Sequence, residues 1–369
     1  MVLSVVLCGG GTAGHVNPLI ASAQAIRSLV PEARITAVGT ASGLENELVP
    51  AAGFDLALVE RAPFPRRLNR QALKFPARFM RAVKQSRKIL RDAQASCVIG
   101  FGGYASTPIY WAARREGIPI IVHEANAVPG MANKLGARYA RVVALTFPST
   151  PLQAKNGITV TVGLPLRPAI AQLANSDPAE RQHRRESAAR RFGLDPLRSI
   201  VVVSGGSLGA VKLNETMQEA GPNLRAQILH ITGKDKDGDV RRAVGENRDY
   251  VVVDYVTDME EVYALADVLI ARSGAGMVSE AATLGIPTVF VPLPIGNGEQ
   301  ARNAHDVVEA GGGILVDNSD FTPQWVAENL PALLDPERQA LMSAQGRRVA
   351  PSDAATKLAQ YAIESAGES

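Results

Sequence analysis

Short apolar, β-branched runs recur along the chain at 2–8, 34–38, 54–59, 97–101, 119–123, 142–146 and 158–162. After a break they resume at 199–204, 226–231, 250–255, 267–271, 287–291 and 313–316. Most are continuous rather than alternating, the pattern of parallel strands covered on both faces. Helical stretches of about 10–15 residues fit between them. The pattern therefore predicts an α/β chain of two doubly wound, Rossmann-like domains with a cleft between them. The segment Gly163-Leu164-Pro165-Leu166-Arg167-Pro168 parts the two series, and its prolines beside a glycine predict a stiff hinge. The expected domains are 1–163 and 164–350, with a terminal helix at about 351–369 packing back on the first. The stretch 322–366 reads as helical, with breaks at Pro331, Pro336 and Pro351.

In such sheets ligands sit outside the carboxyl ends of the strands. The first strand runs into Gly9-Gly10-Gly11-Thr12-Ala13-Gly14-His15, with a helix expected after Pro18. The strand at 97–101 runs into Gly102-Gly103-Tyr104, and that at 199–204 into Gly205-Gly206-Ser207-Leu208-Gly209-Ala210. Glycines let backbone N–H groups turn toward a ligand, and a helix N-terminus behind them favours an anion. Tight turns alone would explain one such loop; a matched pair, one per domain, points to phosphate groups. The first loop also satisfies G-x-G-x-x-G at Gly9, Gly11 and Gly14, the dinucleotide fingerprint. That fingerprint needs an acidic residue ending the second strand, where none occurs before Glu45, so it reads as a decoy. Asp235-Lys236-Asp237-Gly238-Asp239 offers D-x-D pairs, but Arg241-Arg242 follow directly, and a solvated loop is the better reading.

His15 begins a helix, where the positive dipole end opposes protonation, so a neutral imidazole there can take a proton from a hydroxyl. The plain alternative is a helix-capping histidine. His123, His183, His230 and His305 have no such setting, and no two histidines have metal-ligand spacing. In the second domain, Ala271-Arg272-Ser273-Gly274-Ala275-Gly276-Met277-Val278-Ser279-Glu280 follows a strand. Glu280 lies inside the next helix, where a carboxylate can accept both hydroxyls of a ribose; a surface Glu is the commoner case. Next comes the loop 292–304, rich in amides and carboxylates that suit sugar hydroxyls.

The 369 residues are 46% apolar, too apolar for disorder, and no run is long enough to cross a bilayer. The start, MVLSVVLCGG, lacks the features of a signal peptide. Cys8 and Cys97 alone make no disulfide framework or Cys-based zinc site, and a reducing compartment is expected. The formal charge of +3 conceals a division, because residues 61–91 contain 11 Lys/Arg and no Asp/Glu. From Pro76 this segment is amphipathic, with Arg78, Arg81, Lys84, Lys88 and Arg91 on one side and Phe75, Phe79, Val83, Ile89 and Leu90 on the other. A solvated basic face is the simple reading. Eleven like charges without a counter-charge also suit an anionic membrane leaflet, approached through Arg66, Arg67, Arg70, Lys74, Arg78, Arg81, Lys84 and Lys88. Phe64, Leu68 and Met80 would then enter the interface. Nucleic acid is a weaker partner, since no stacking aromatics interleave the charges.

The motifs GGGTAGH at 9–15, FGGYAS at 101–106, HEANAVPG at 123–130, VGLPLR at 162–167, SGGSLGA at 204–210, ARSGAGMVSE at 271–280 and GNGEQARNA at 296–304 occur in this order over essentially the whole chain. In them the chain resembles the MurG family of glycosyltransferases. The resemblance implies a GT-B fold and inverting transfer of GlcNAc from UDP-GlcNAc to the C4 hydroxyl of undecaprenyl-pyrophosphoryl-MurNAc-pentapeptide, the step that makes lipid II for peptidoglycan. It implies acceptor binding in the N-terminal domain, UDP-GlcNAc mainly in the C-terminal one, and a peripheral place on the cytoplasmic face of the membrane beside other cell-wall enzymes. It calls for no cofactor and no metal, the leaving charge being met by loop amides and the helix start at Ser207–Ala210.

Position by position, the resemblance puts Thr12, Ala13 and Gly14 near the sugar and diphosphate, Asn126 on GlcNAc, Arg167 on the donor from the hinge, and Ser207 on phosphate. It puts the Val256 backbone on the uracil and Gln300 on a GlcNAc hydroxyl. Ala275, Gly276, Met277, Val278, Ser279 and Glu280 match the nucleoside and sugar segment, and His15 the candidate base. The chain departs from the family at Ala13, commonly Gly, and at Glu299, commonly Gln. Another GT-B enzyme, a UDP-GlcNAc 2-epimerase, is the rival enzyme, and a two-domain binding protein without catalysis the rival of another class.

Overall fold

The structure is a computed structural model that describes residues 2–63, 70–206, 209–295 and 297–367. It divides into two compact units, Met1–Arg167 with Asp353–Ser369, and Pro168–Ser352.

The first unit runs β1 (Ser4–Cys8), α1 (Ala13–Leu29), β2 (Arg34–Gly39), α2 (Glu45–Ala51), β3 (Asp55–Leu58), α3 (Arg70–Asp92), β4 (Cys97–Gly100), α4 (Ser106–Glu116), β5 (Ile120–Glu124), α5 (Met131–Gly136), β6 (Val142–Leu145) and β7 (Ile158–Thr161). Its seven strands form one parallel sheet in the order β3-β2-β1-β4-β5-β6-β7. Strand alternation sends Val5 and Leu7 to one face, against Leu19 and Ile26 of α1. It sends Val6 and Cys8 to the other, against Ile109 and Tyr110 of α4. Both faces are apolar because both are covered, which is why the strand reads as an unbroken apolar run.

The second unit runs α6 (Pro168–Asn175), α7 (Pro178–Phe192), β8 (Ile200–Ser204), α8 (Val211–Ala220), β9 (Gln227–Ile231), α9 (Asp237–Val244), β10 (Tyr250–Val253), α10 (Met259–Leu265), β11 (Val268–Ala271), α11 (Ala275–Leu284), β12 (Thr288–Phe290), α12 (Glu299–Glu309), β13 (Gly313–Leu315), α13 (Pro323–Leu333) and α14 (Pro336–Val349). Its six strands are parallel, in the order β10-β9-β8-β11-β12-β13. The last helix, α15 (Ala354–Gly367), buries Leu358, Ala359 and Ala362 in the core of the first unit, beside α1.

The strands predicted from the apolar runs are all present, with ends within two residues. Three helix readings need correction, the first at Pro76, expected as a first helical residue but lying inside α3. The helix expected after Pro18 starts at Ala13 and carries Pro18 inside it. Pro18 forfeits only the bond to the carbonyl of Gly14, an exposed residue in the first turn, so the loss is small. Pro331 likewise lies inside α13 rather than ending it. Pro336 behaves as expected, opening α14 behind the Asp335 cap, whose Oδ2 accepts from Arg338 N at 2.9 Å.

Candidate active site

In a doubly wound sheet, ligand-binding loops gather where the strand order reverses. That point lies between β1 and β4 in the first unit, and between β8 and β11 in the second. The glycine-rich loops picked out in the sequence are the loops that leave these strands.

In the first unit Thr12 is the extended N-cap of α1, and Thr12, Ala13 and Gly14 are exposed. His15 is half-buried in the first turn, with Nδ1 3.0 Å from the Gly10 carbonyl oxygen. A carbonyl only accepts, so Nδ1 carries the hydrogen, and in the neutral ring Nε2 keeps its lone pair. Nε2 is turned toward the loop after β4, where a Cβ on Gly102 would lie 3.2 Å from it. Gly103 must be glycine: its φ is +82°, and a Cβ would stand 2.6 Å from the Gly10 oxygen. The two loops therefore touch backbone to backbone.

At the end of β5, His123 is fully buried and donates from Nε2 to the Gly163 carbonyl at 3.0 Å. Burial pushes its pKa down to about 4. Glu124 accepts from Asn126 N (3.0 Å), Gly130 N (2.9 Å) and Asn133 Nδ2 (3.0 Å), and so shapes the loop that presents half-buried Asn126. Glu45 accepts from Gly11 N at 2.8 Å and from Thr40 N at 2.8 Å. Neither glutamate stands out in the sequence as a site-shaping group. HEANAVPG holds the signal for Glu124; Glu45 enters the sequence pattern only as the first acid after β2, too late for the dinucleotide fingerprint. Arg167 is half-buried and ends the first unit.

In the second unit Ser207 lies outside the described residues. Gly209 has φ +67°, and a Cβ there would stand 2.0 Å from the Thr232 carbonyl oxygen. The chain so turned enters α8, whose N-cap Ala210 offers no side-chain bond to the first amides. His230 is structural: its Nε2 donates to Asn214 Oδ1 (3.0 Å), its Nδ1 accepts from the Tyr250 hydroxyl (2.7 Å), and burial pushes its pKa down to about 3.

After β11, Arg272 donates to the carbonyls of Val291 (3.0 Å) and Pro292 (3.0 Å) and to Asn318 Oδ1 (2.8 Å), tying the strand ends together. On α11, Ala275, Gly276 and Met277 are half-buried, while Val278 puts its side chain wholly into the core. Ser279 is buried. Half-buried Glu280 accepts from the Tyr263 hydroxyl of α10 at 2.8 Å, which fixes one carboxylate oxygen. Val256, after β10, is buried. Gln300, on α12, accepts at Oε1 from Leu293 N at 2.9 Å, closing its own loop. The acidic stretch expected as a solvated loop instead runs from the Lys236 N-cap into the first turn of α9, where Asp237 pairs with Arg241 at 2.7 Å and Asp239 with Arg242 along the helix. Cys8 and Cys97 are buried free thiols whose pKa burial pushes up to about 12.

The basic segment is less bare than its sequence suggests. Arg66, Arg67, Phe64 and Leu68 lie outside the described residues, and Arg70 opens α3. Arg81 pairs with Glu60 at 2.8 Å with Arg78 alongside at 3.9 Å, Lys88 pairs with Asp92 at 2.5 Å, and Arg87 and Arg91 share Glu116. The counter-charges come from Glu60 and Asp92, which flank 61–91, and from Glu116 at the end of α4. Lys74 and Lys84 are exposed without an ion pair among the described residues. Val83 and Leu90 are core, Phe79 meets Trp111 edge-on, and Met80 is 52% exposed. No described helix is long and apolar enough to cross a membrane.

Two parallel Rossmann-like sheets, each with a glycine-rich loop at its reversal point, define the GT-B class of glycosyltransferase folds. The model of the glycosyltransferase family 28 N-terminal domain matches residues 5–145, and that of the family 28 C-terminal domain matches 200–358. The chain belongs to glycosyltransferase family 28. It is 48% identical to a Bifidobacterium adolescentis protein named UDP-N-acetylglucosamine--N-acetylmuramyl-(pentapeptide) pyrophosphoryl-undecaprenol N-acetylglucosamine transferase, covering 97% of this chain and 96% of that one. A Nocardioides protein of the same name is 47% identical, with 98% of each chain covered. The crystal structure of Acinetobacter baumannii MurG superposes with a TM-score of 0.78 at 27% identity, over 98% of this chain and 99% of that one.

Proposed function

We propose that this protein transfers GlcNAc from UDP-GlcNAc to the C4 hydroxyl of the muramyl sugar of undecaprenyl-pyrophosphoryl-MurNAc-pentapeptide. The observation that carries the reading is the near half identity, end to end, with enzymes named for that transfer. His15, fixed with Nε2 as acceptor, supplies the base the transfer needs. The acceptor oxygen bonds to the anomeric carbon as that carbon's bond to the diphosphate breaks. The bonding pair leaves with UDP, the hydroxyl proton goes to His15 Nε2, and the anomeric configuration inverts to β.

In this reading the second unit holds the donor. Glu280, steadied by Tyr263, accepts from the ribose hydroxyls. The backbone at Val256 reads the uracil, and Ala275, Gly276, Met277, Val278 and Ser279 line the nucleoside through backbone atoms and small groups. The Val278 side chain takes no part, being core. The amides opening α8, with Ser207, meet the charge growing on UDP. Gln300 donates to a GlcNAc hydroxyl, and Asn126, Arg167 and the Thr12–Gly14 turn complete the sugar and diphosphate contacts. The first unit binds the acceptor.

The acceptor is a lipid, and α3 is the proposed docking element on the anionic cytoplasmic leaflet. Lys74 and Lys84 offer unpaired charge, and exposed Met80 an apolar contact. A cavity of about 700 Å³ lined by Arg114, Arg138, Arg141 and Lys155 adds a second basic feature to this unit. A 2-epimerase is not favoured, because the full-length relatives are named as transferases. The discriminating experiment follows UDP from UDP-GlcNAc: release should require the lipid-linked muramyl acceptor, and release without any acceptor would refute the proposal.

A further inference from the structure

The peptide group between Gly10 and Gly11 is held at both ends. Its C=O accepts from His15 Nδ1 at 3.0 Å, and its N–H donates to Glu45 Oε2 at 2.8 Å. In a trans peptide these two groups point in opposite directions. Glu45 and His15 therefore stand on either side of one polarisable unit. The far oxygen of Glu45 is anchored by Thr40 N at 2.8 Å and Thr40 Oγ1 at 3.2 Å, and the residue is 1% exposed. It fills space left by missing side chains: a Cβ on Gly10 would stand 2.3 Å from its Oε1. Burial pushes the Glu45 carboxyl up, but the amides of Gly11 and Thr40 together outweigh that and hold it below the usual carboxylate range.

We infer that Glu45 is a positioning residue for the base: acting through the Gly10–Gly11 peptide, its charge fixes the Nδ1–H tautomer of His15 and stabilises the imidazolium formed when Nε2 takes the acceptor proton. The inference rests on the reading of His15 as base. The proton passes from the acceptor hydroxyl to Nε2, the positive charge spreads to Nδ1–H, and the Gly10 oxygen, made more negative by the carboxylate behind it, accepts that N–H more strongly. Glu45 itself stays ionised and takes no proton. The same bond removes the Gly11 amide from phosphate binding, since its hydrogen already points at a carboxylate. Anion recognition in this loop therefore falls to the amides that open α1.

Among the titratable groups on the elements around His15 are Cys8 ending β1, Tyr104 before α4, Tyr110 on α4, and His123 and Glu124 ending β5. Burial keeps Cys8, Tyr110 and His123 neutral near pH 7. None of these is altered by a substitution at 45.

The experiment compares kcat against pH, at saturating donor and acceptor, for the native protein, Glu45→Gln, Glu45→Asp and His15→Ala. Glu45→Gln should lower kcat roughly tenfold to a hundredfold, less than the effect of neutralising a carboxylate in direct contact with a catalytic histidine. KM for UDP-GlcNAc should stay within about twofold, as expected when only transition-state interactions are lost. The acidic limb should move to lower pH by roughly half a unit to one unit, because the imidazolium loses a nearby negative charge. In Glu45→Asp the charge is kept but drawn back by one carbon, so the limb moves by a smaller step. A residue that only supported the loop would lower kcat without moving the limb. An unmoved limb in Glu45→Gln overturns the inference even if kcat falls. Should that variant not fold, an unmoved limb in Glu45→Asp overturns it instead. Near-normal turnover in His15→Ala would remove the reading of His15 itself, whereas an inactive His15→Ala beside an unmoved Glu45→Gln limb removes only the role of Glu45.

Discussion

Glu45 sits in a polar stretch, Gly39-Thr40-Ala41-Ser42-Gly43-Leu44-Glu45, with nothing local to separate it from any acid in a first helical turn. Its significance comes from Gly11, 34 residues away in the chain. A dinucleotide site would need a carboxylate at the end of β2 to hold a ribose; Glu45 does reach that end, at Thr40, but it also binds the glycine loop at Gly11, in keeping with the reading of the fingerprint as a decoy. A one-dimensional pattern carries residue types and spacings, not the direction of a carboxylate. The histidines divide in the same way. His15 has a carbonyl on one nitrogen and an open loop by the other, whereas His123 and His230 are sealed in the core. For those two the sign with pH is definite. Their folded-state pKa values, about 4 and about 3, lie below the unfolded value of 6.5, so above pH 6.5 they cost nothing. As pH falls below 6.5 the unfolded chain binds protons that the folded chain refuses, and stability is lost. At pH 5 the loss is about 2 kcal/mol from each. Urea denaturation at pH 7.5 and pH 5 should show a clearly lower midpoint at pH 5; equal midpoints would contradict this account of the two cores.

The strands were legible as elements because burial on both faces demands apolar, β-branched residues at every position. Helix limits were less so. Pro18 and Pro331 look like punctuation, yet each sits where losing one amide bond is tolerable, and tertiary packing decides the outcome. Helix α3 shows another limit of local pattern. Its basic face is visible in the sequence, but Glu60 and Glu116 neutralise part of it from other elements. Exposed pairs of this kind are weak and exchange readily for a charged surface. Reversing Lys74, Arg81, Lys84 and Lys88 to Glu should therefore abolish most binding to vesicles containing anionic phospholipid, measured by co-sedimentation, while turnover on a short-chain, water-soluble acceptor persists. Unchanged vesicle binding would dismiss α3 as the docking element.

At the scale of the whole chain, the net charge of +3 divides unevenly, with a strongly basic segment in the first unit and an acidic balance over residues 166–369. The two sheets repeat one topology and one loop device but carry different groups at the reversal point. The first has an imidazole held through a peptide by a carboxylate, proposed as the base; the second has a glycine-rich helix start and a tyrosine-steadied glutamate, proposed for phosphate and ribose. In the proposed function, that division of labour serves transfer between two bound substrates. The product formed from UDP-GlcNAc labelled in the sugar, with lipid-linked muramyl-pentapeptide as acceptor, tests this most directly. The account predicts one label per acceptor, joined through a β bond to C4 of the muramyl sugar, with one UDP released for each. Label remaining on the nucleotide as an epimerised sugar, or joined through an α bond, would contradict it.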